Sequence, residues 1–425
     1  MSLLLDSPVD SPVRGLLRSV VGVSAARVYS LGVSAAMIMV VARWLGPAGQ
    51  GTMAASTAWA TLFATLGSLS LGQVAVHRAT VRRGEAWLGD TMGTLLLFDV
   101  IVTAGCWIVA AAIYAVTNGR TFGRIPPSAL AVGLLIVPFL VWELYGGNLL
   151  TATGKIETYN RAQVIGRSVG IVLFLLCWLL RLGVVAAIAV AVISQAVVAS
   201  IGVRELWRLA GRVQATLREA RALLKGAAQL HVNTISNVVL TTLGVLIVNR
   251  YCSLAETGWY QFSASLLNVM AVIPLAISTV LFAMVAQNGP RAAWATQRKI
   301  MLWLMLFMIA SAAVAAVAAP LAIPLVVGAK YIPAVHLFQL SLLAIPGMTA
   351  AGVMASQWIG RGYFWQMSAM SVVFSALHLT ITLLLVKRYG MYGAVYANVI
   401  SSGIALVSNA VFAFLCEKDL HEAAA

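Results

Sequence analysis

An arginine lies deep within the first apolar segment of this chain. Arg27 lies about eleven residues into that segment, which at 1.5 Å per helical residue is roughly 16 Å from its start. A charge at that depth is costly and normally faces a partner or a water-filled cavity. Ser24, Ser30 and Ser34 share its helical face, because the spacings are three, three and four residues. The pattern predicts a polar face built around a buried cation.

A second polar face follows 207 residues later. It consists of His231, Thr234, Asn237 and Thr241. The chain as a whole repeats at this distance: VVARW (40–44) aligns with IVNRY (247–251), and LGVVAAIAVAVIS (182–194) with YGMYGAVYANVIS (389–401). We expect the two helices to line one hydrated cavity. The alternative is helix packing through small polar residues, which fits the serines well and the arginine badly.

Other charged residues fall within or beside the apolar segments. Arg43 and Arg250 occupy equivalent positions at segment ends, where they either snorkel to the interface or bind an anionic substrate such as a pyrophosphate. We expect Asp99 to lie near Arg27, and Glu143 near Arg167. Each pair is either a structural ion pair or part of a coupling switch.

The elements that position these residues must be membrane helices. Apolar residues make up 61% of the 425 positions and charged residues only 10%, whereas a soluble domain carries about 25% charged residues. Twelve apolar segments are long enough to cross a bilayer. Their approximate ranges are 16–43, 52–76, 89–116, 128–151, 160–180, 183–203, 227–249, 257–286, 299–323, 333–358, 365–386 and 390–415.

The repeat predicts an all-α polytopic membrane protein with two pseudo-symmetric six-helix lobes. The N-terminal lobe is residues 1–203, and the C-terminal lobe with a short tail is residues 227–425. Residues 204–226 form a basic, amphipathic cytoplasmic linker, for which the alternative is a partner-binding helix. With both termini in the cytoplasm, the inner segments hold eighteen Lys and Arg residues and the outer ones eight, as the positive-inside rule favours.

The remaining composition argues against several functions. The net charge of +15 is spread over short loops beside the apolar segments, so it does not indicate nucleic-acid binding. The four cysteines show neither disulfide nor metal spacing, and we expect them to be packing residues. There is no Walker A sequence, no GxSxG motif and no cluster among the five histidines. We therefore expect a protein without enzyme activity, cofactor or metal.

Several motifs occur in an order found in one transporter family. They are ARWLGPAGQG (42–51), LGSLSLGQVAVHR (66–78), TATGKIETYN (151–160), LVVGAKYIPAV (325–335), WIGRGY (358–363) and YGMYGAVYANVIS (389–401). Over essentially the whole chain, this set resembles the Wzx-like polysaccharide flippases. These belong to the MOP superfamily, which also contains the MATE exporters and the lipid II flippase.

The resemblance implies a flippase that moves an undecaprenyl-pyrophosphate-linked oligosaccharide from the inner to the outer leaflet of the bacterial inner membrane. The polymer made from it would be O-antigen, capsule or exopolysaccharide. Two lobes would alternate access around a cationic cavity, whose arginines match Arg27 and, less closely, Arg43 and Arg250. Implied partners are the lipid-linked substrate, membrane lipids, and a polymerase and glycosyltransferases of the same pathway.

Two other functions stay open. One is a gradient-driven exporter of small amphiphiles, although MATE exporters typically rely on an acidic residue early in span 1, and in this chain that helix carries Arg27. The lipid II flippase has two further spans for its lipid tail. We do not find them in this chain, which argues against lipid II as the substrate. The other open function is a non-transporting scaffold of a polysaccharide assembly complex.

Overall fold

The computed structural model describes the backbone of residues 10–81 and 87–424, and the side chains of residues 36–79, 87–227, 230–363 and 365–418. All regular structure in the described backbone is helical, as the sequence predicts. Helices suit an apolar environment because each one satisfies its backbone hydrogen bonds internally, where lipid offers no partners.

Seven helices form the N-terminal half of the chain. They are α1 (Asp10–Gly67), α2 (Leu71–Val81), α3 (Trp87–Thr117), α4 (Pro127–Leu134), α5 (Val137–Ala152), α6 (Ile156–Leu179) and α7 (Val184–Ala210). A 3-10 turn at Arg120–Phe122 lies between α3 and α4.

Eight helices form the C-terminal half. They are α8 (Leu217–Thr241), α9 (Leu243–Tyr251), α10 (Leu254–Asn288), α11 (Pro290–Val327), α12 (Ile332–Ser341), α13 (Ile345–Gly360), α14 (Phe364–Tyr389) and α15 (Met391–Ala424). Two 3-10 turns, Ala329–Tyr331 and Leu342–Ala344, flank α12.

Helix α1 contains a sharp break that divides it into two spans. Gly46 has φ 66° and ψ −177°, a conformation that a residue with a Cβ rarely adopts. Pro47 follows, and its fixed φ suits the first position of the second helical segment. The break lies in the LGPAGQG turn, between the first two predicted spans.

The helix count agrees with about twelve spans. In the described part of the chain, nine helices or joined helices are long and apolar enough to cross a membrane. Two bent pairs, α1 with α2 and α8 with α9, raise this number to eleven. The part of α1 before Gly46 is a further helix at the position of the first predicted span.

The two largest clusters of buried apolar side chains lie mainly in different halves of the chain. The largest cluster lies within residues 55–227, and the next comprises Ala42 with residues 262–353.

Gly46 lies at the same end of the bundle as the turns near residues 120 and 330, and we call this the Gly46 end. The opposite end, with residues 211–216, is the linker end. The division of the chain at residues 203 and 227 stays a prediction.

The segment 204–226 differs from a single surface helix. Helix α7 continues to Ala210 and is ended by Gly211, which has φ 64°. After a short turn, Thr216 caps α8 by accepting a hydrogen bond from the backbone N–H of Glu219 at 3.3 Å. The turn packs against α3, because the backbone N–H of Gln214 donates to the carbonyl of Gly89 at 3.2 Å. The segment is thus the end of one span, a docked turn and the start of the next.

Candidate functional site

The polar face predicted on span 7 lies on α8, and its two ends face different surroundings. At one end, Ser70 contacts the Oγ1 of Thr234 at 2.8 Å and the Nδ1 of His231 at 3.3 Å. At the other end, Thr241 lines a cavity within the C-terminal half. Asn237 lies between them and is exposed. The four residues therefore do not line a single surface.

Ser70 belongs to a break between α1 and α2 that the sequence reasoning missed. Leu69 and Ser70 have φ values of 48° and 56°, in the left-handed region that residues with a Cβ rarely occupy. The hydroxyl of Tyr145 donates to the carbonyl of Ser68 at 3.0 Å and holds the break from α5. The break residues Ser68, Leu69 and Ser70 include no glycine or proline, so no residue pattern indicated a break at this place.

The polar face predicted on span 1 cannot be placed in the same way. The side chains of Ser24, Arg27, Ser30 and Ser34 lie outside the described residues. Their helical backbone belongs to the part of α1 before Gly46. Their role in a shared cavity stays a prediction.

The two arginines at equivalent segment ends lie at the Gly46 end and have different contacts. The Nη1 of Arg43 donates to the carbonyl of Val326 at 3.3 Å, which joins the two halves of the chain. The guanidinium of Arg250 lies 5.8 Å from the ring centre of the adjacent Tyr251. Both arginines are exposed, so either is able to meet an anion at this end.

The halves also meet at the Gly46 end through a pair of glycines. Gly51 and Gly258 lie 207 positions apart and pack α1 against α10. A Cβ on Gly51 would collide with the carbonyl oxygen of Leu254, and a Cβ on Gly258 with that of Pro47. The repeat therefore places a glycine from each half in one close helix contact.

Two buried hydrogen bonds support this contact. The hydroxyl of Tyr331 donates to the Oε1 of Gln50 at 2.6 Å. The Nδ2 of Asn249 donates to the carbonyl of Phe122 at 2.8 Å. The first bond joins the start of the second span to the 3-10 turn of the C-terminal half, and the second joins the end of α9 to the 3-10 turn of the N-terminal half. The Gly46 end is thus held closed by a contact from each half.

Asp99 lies in a groove on the N-terminal half. Its side chain is 9% exposed, and Thr103 donates a long hydrogen bond to it at 3.5 Å. The groove has a volume of about 630 Å³, lies between α3, α5 and α7, and has Arg204 and Arg208 in its lining. The proximity of Asp99 to Arg27 stays a prediction, because the side chain of Arg27 is not described.

Glu143 lies at the centre of a half-buried polar cluster. It accepts hydrogen bonds from the hydroxyl of Tyr159 at 3.1 Å and from the side-chain amides of Gln163 and Gln195. These donors come from α6 and α7 and converge on one carboxylate of α5. All three are neutral, so the cluster can hold a carboxylate and can also accept a proton without losing its framework.

Arg167 adjoins this cluster by its position on α6. Tyr159, Gln163 and Arg167 are spaced four residues apart and share one helical face. This spacing could have identified Gln163 as a partner of Glu143 from the sequence. A direct ion pair between Glu143 and Arg167 stays a prediction.

A cavity of about 460 Å³ lies inside the C-terminal half. It is bounded by α8, α10, the end of α12, α13, α14 and α15. Its polar lining includes Asn268, Asn398 and His378, none of which the sequence reasoning selected. Amide side chains within apolar spans could have indicated this cavity. A polar group at such a depth is costly and marks a functional site, which is the reasoning that selected Arg27.

Comparisons with known proteins identify a sequence family and a fold for this chain. The family model described as "Polysaccharide biosynthesis protein" matches residues 16–288, which is more than half of the chain. No curated protein sequence matches the chain.

Several solved structures share the fold over nearly the full length. The lipid II flippase MurJ in an inward closed conformation has a TM-score of 0.75 and 11% identity, with 91% of this chain and 86% of that chain covered. An inward-facing multidrug resistance MATE transporter of the MOP superfamily has a TM-score of 0.69 and 12% identity, with 92% and 95% covered.

A MOP superfamily transporter from Pyrococcus furiosus, described as having a binding pocket of reverse polarity, has a TM-score of 0.61 and 16% identity, with 94% and 96% covered. Identities this low show the fold alone. The fold is that of the MOP superfamily, and the match over residues 16–288 shows that the chain belongs to the polysaccharide biosynthesis protein family.

Proposed function

We propose that the protein is a flippase that moves an undecaprenyl-pyrophosphate-linked oligosaccharide from the inner to the outer leaflet of the bacterial inner membrane. The observation that carries the proposal is that a member of a polysaccharide biosynthesis family has the complete fold of a MOP transporter. A transporter that serves polysaccharide biosynthesis requires a substrate that contains sugar and that must cross the membrane. A lipid-linked sugar meets both conditions.

The chemistry of such a substrate fits the residues in three parts. Its diphosphate brings negative charge towards the membrane midplane, where a buried arginine such as Arg27 lowers the cost. Its sugar hydroxyls need neutral donors and acceptors, which the side chains of α8 and the C-terminal cavity provide. Its polyprenyl tail stays in lipid.

The movement requires the Gly46 end to open. In this structure the end is closed by the contact of Gly51 with Gly258 and by the bonds of Tyr331 and Asn249. We assign the outer side of the membrane to this end, with both chain termini in the cytoplasm. Opening it would bring the departing diphosphate to the end of the bundle at which Arg43 and Arg250 lie.

The Glu143 cluster is the proposed coupling site. One carboxylate held by three neutral donors is able to change its charge while its neighbours keep their places. Asp99 is the second carboxylate at which a coupling ion would act. No step of covalent chemistry is required, so the protein acts as a transporter without enzyme activity.

A gradient-driven exporter of small amphiphiles is the second candidate. It is favoured by Met348, Met367 and Met370, which line the C-terminal cavity, because methionine adapts to apolar ligands of varied shape. The likeness to MATE transporters also supports it.

Complementation of a deletion strain separates the two candidates. The strain is given the wild-type gene, Arg27→Ala or Arg27→Lys, and its surface polysaccharide and its tolerance to cationic dyes are measured. A flippase loses surface polysaccharide with Arg27→Ala and keeps part of it with Arg27→Lys. Loss of dye tolerance with normal polysaccharide would instead identify the exporter.

A further inference from the structure

The cavity of the C-terminal half has the size of a ligand site. Its volume of about 460 Å³ falls within the range of roughly 300–1,000 Å³ typical of small-molecule pockets. Six helices contribute to its wall, from Thr241 on α8 to Asn409 on α15. It lies within one half of the protein and is separate from the contacts at the Gly46 end.

The described residues that line the cavity include no Asp, Glu, Lys or Arg. Its polar groups are amides, hydroxyls and one imidazole. The Nδ1 of that imidazole, on His378, lies 2.9 Å from the hydroxyl of Ser401. A cavity lined in this way favours a ligand that is polar and uncharged, because a buried charge without a partner is strongly destabilising.

Two amides in the lining have unused hydrogen-bonding capacity. Asn268 on α10 and Asn398 on α15 make no side-chain hydrogen bond to another described residue. Each amide offers two donor hydrogens and an acceptor oxygen. Amide groups presented without partners are suited to the adjacent hydroxyls of a sugar, each of which both donates and accepts.

An aromatic face completes the cavity. The ring of Trp358 is stacked on Phe412 at a centroid distance of 3.7 Å, and its Nε1 donates to the Oδ1 of Asn409 at 3.1 Å. These two contacts fix the orientation of the indole. A fixed aromatic face gives the apolar side of a sugar ring a surface on which to pack.

We infer that this cavity binds an uncharged segment of the glycan carried by the substrate. The inference rests on the proposed flippase function and adds a second point of attachment to it. The diphosphate is held outside the cavity by arginines, whereas the sugar enters the C-terminal half. A purely apolar ligand would leave Asn268 and Asn398 unpaired, and an acidic sugar would bring in a charge without a partner.

Equilibrium binding to the full-length protein in lipid nanodiscs tests this inference. Three probes are compared: undecaprenyl pyrophosphate, the same lipid carrying a neutral disaccharide, and the same lipid carrying a disaccharide with one uronic acid. We expect the neutral disaccharide to tighten binding roughly tenfold over undecaprenyl pyrophosphate, and the uronic acid to cancel this gain.

The variants Asn268→Leu and Asn398→Leu locate the gain. Each is expected to weaken binding of the neutral probe roughly fivefold, the effect of about one lost hydrogen bond, and to leave undecaprenyl pyrophosphate unaffected. Thr380→Leu is the matched control, because this threonine is exposed and lies two residues beyond His378, towards the opposite face of α14. It should leave all three affinities unchanged.

A second measurement does not depend on how well these variants fold. Ser371→Cys places a thiol in the cavity lining, where its rate of reaction with a small maleimide is measured against the unsubstituted protein. The neutral probe should protect this thiol, and undecaprenyl pyrophosphate should not.

The outcomes separate the two ideas. If the wild type binds none of the lipid probes, the flippase function and the glycan site are both overturned. If it binds them, but the sugar adds no affinity or the thiol stays unprotected, the glycan site is overturned and the flippase function stands. A gain for the neutral probe that the two Asn variants abolish supports both.

Discussion

Corresponding positions in the two halves contain different chemistry. Helices α5 and α13 begin 208 positions apart, at residues 137 and 345, and the left-handed glycines before α6 and α14 have the same spacing. Glu143 therefore corresponds to Ala351, and Gln163 to Ser371. One half has a carboxylate bonded to amides at this place, whereas the other has the wall of a cavity.

The last helix of each half shows the same contrast. Helices α7 and α15 begin 207 positions apart, which aligns Gln195 with Ser402 and Ala191 with Asn398. Gln195 bonds to Glu143, whereas Ser402 and Asn398 line the cavity. A repeated scaffold has thus diverged: the N-terminal half concentrates ionisable groups, and the C-terminal half offers neutral polar space.

The linker gives the largest expected effect, because it is bonded to the N-terminal half. Glu219 is 1% exposed and receives two hydrogen bonds of 2.8 Å from Arg78 and one of 3.1 Å from Thr91. Arg78→Met removes two charged hydrogen bonds from a buried carboxylate and should destabilise the protein by about 3–5 kcal/mol.

Thermal unfolding in detergent measures this change. The exposed pair of Arg208 with Glu205, at 3.0 Å, is the control, and Arg208→Met should cost less than about 1 kcal/mol. Equal effects of the two substitutions would show that the linker is not held as described.

The glycine pair tests whether the two halves are equivalent at the Gly46 end. Gly51→Leu and Gly258→Leu each push α1 away from α10, and overpacking of about 1–3 kcal/mol should slow transport roughly tenfold to a hundredfold. The two variants should behave alike, because each glycine contacts the partner backbone in the same way.

Gly105→Leu is the matched control, since nothing lies within 4 Å of the Cβ position there. Transport is measured as the flipping of a fluorescent lipid-linked disaccharide in vesicles. Full activity of both variants would contradict closure through this contact.

The Glu143 cluster tests the assignment of charge to the N-terminal half. Glu143→Gln keeps the shape of the side chain and removes the charge, so we expect folding to persist and gradient-dependent transport to fall roughly tenfold. The reverse change, Ala351→Glu, puts a carboxylate at the corresponding place in the C-terminal half and should weaken binding of a neutral glycan.

Transport with and without an imposed proton or sodium gradient measures the first change. If Glu143→Gln responds to the gradient as the wild type does, the cluster is not the coupling site. If Ala351→Glu leaves glycan binding intact, the chemical contrast between the halves has no functional meaning.

The smallest expected effect concerns the hydrogen bond of Tyr331 to Gln50. Tyr331→Phe leaves the buried Oε1 of Gln50 without this donor and should cost about 1 kcal/mol, the net contribution of one hydrogen bond. Because this bond joins the halves only while the Gly46 end is closed, the variant should also react faster with a thiol reagent at Thr52→Cys, a position beside Gly51 whose side chain is 3% exposed. An unchanged labelling rate would contradict its role in closure.

Composition and periodicity predicted the fold well, because lipid leaves few alternatives. Long apolar segments in lipid must be helices, and the 207-residue repeat predicted that they divide into two similar halves. The break at Leu69 and Ser70 could not be predicted, since the residues there do not favour left-handed backbone. It depends on a tertiary bond from Tyr145.

The sites were less predictable, because they depend on which helix faces meet. The polar face of α8 has a regular spacing, yet its residues divide between the contact with Ser70 and the cavity at Thr241. The partners of Glu143 come from helices that are distant in sequence. The depth of a polar residue indicates that it has a function, but only packing shows with which residues it acts.

The most direct test is the flipping of undecaprenyl-pyrophosphate-linked neutral disaccharide by the purified protein in sealed vesicles. We expect the wild type to deliver the lipid to the opposite leaflet, Arg27→Ala to slow this at least tenfold, and Arg27→Lys to restore part of the rate. Wild-type vesicles that flip the lipid no faster than protein-free vesicles would show that the protein is not a flippase for this substrate.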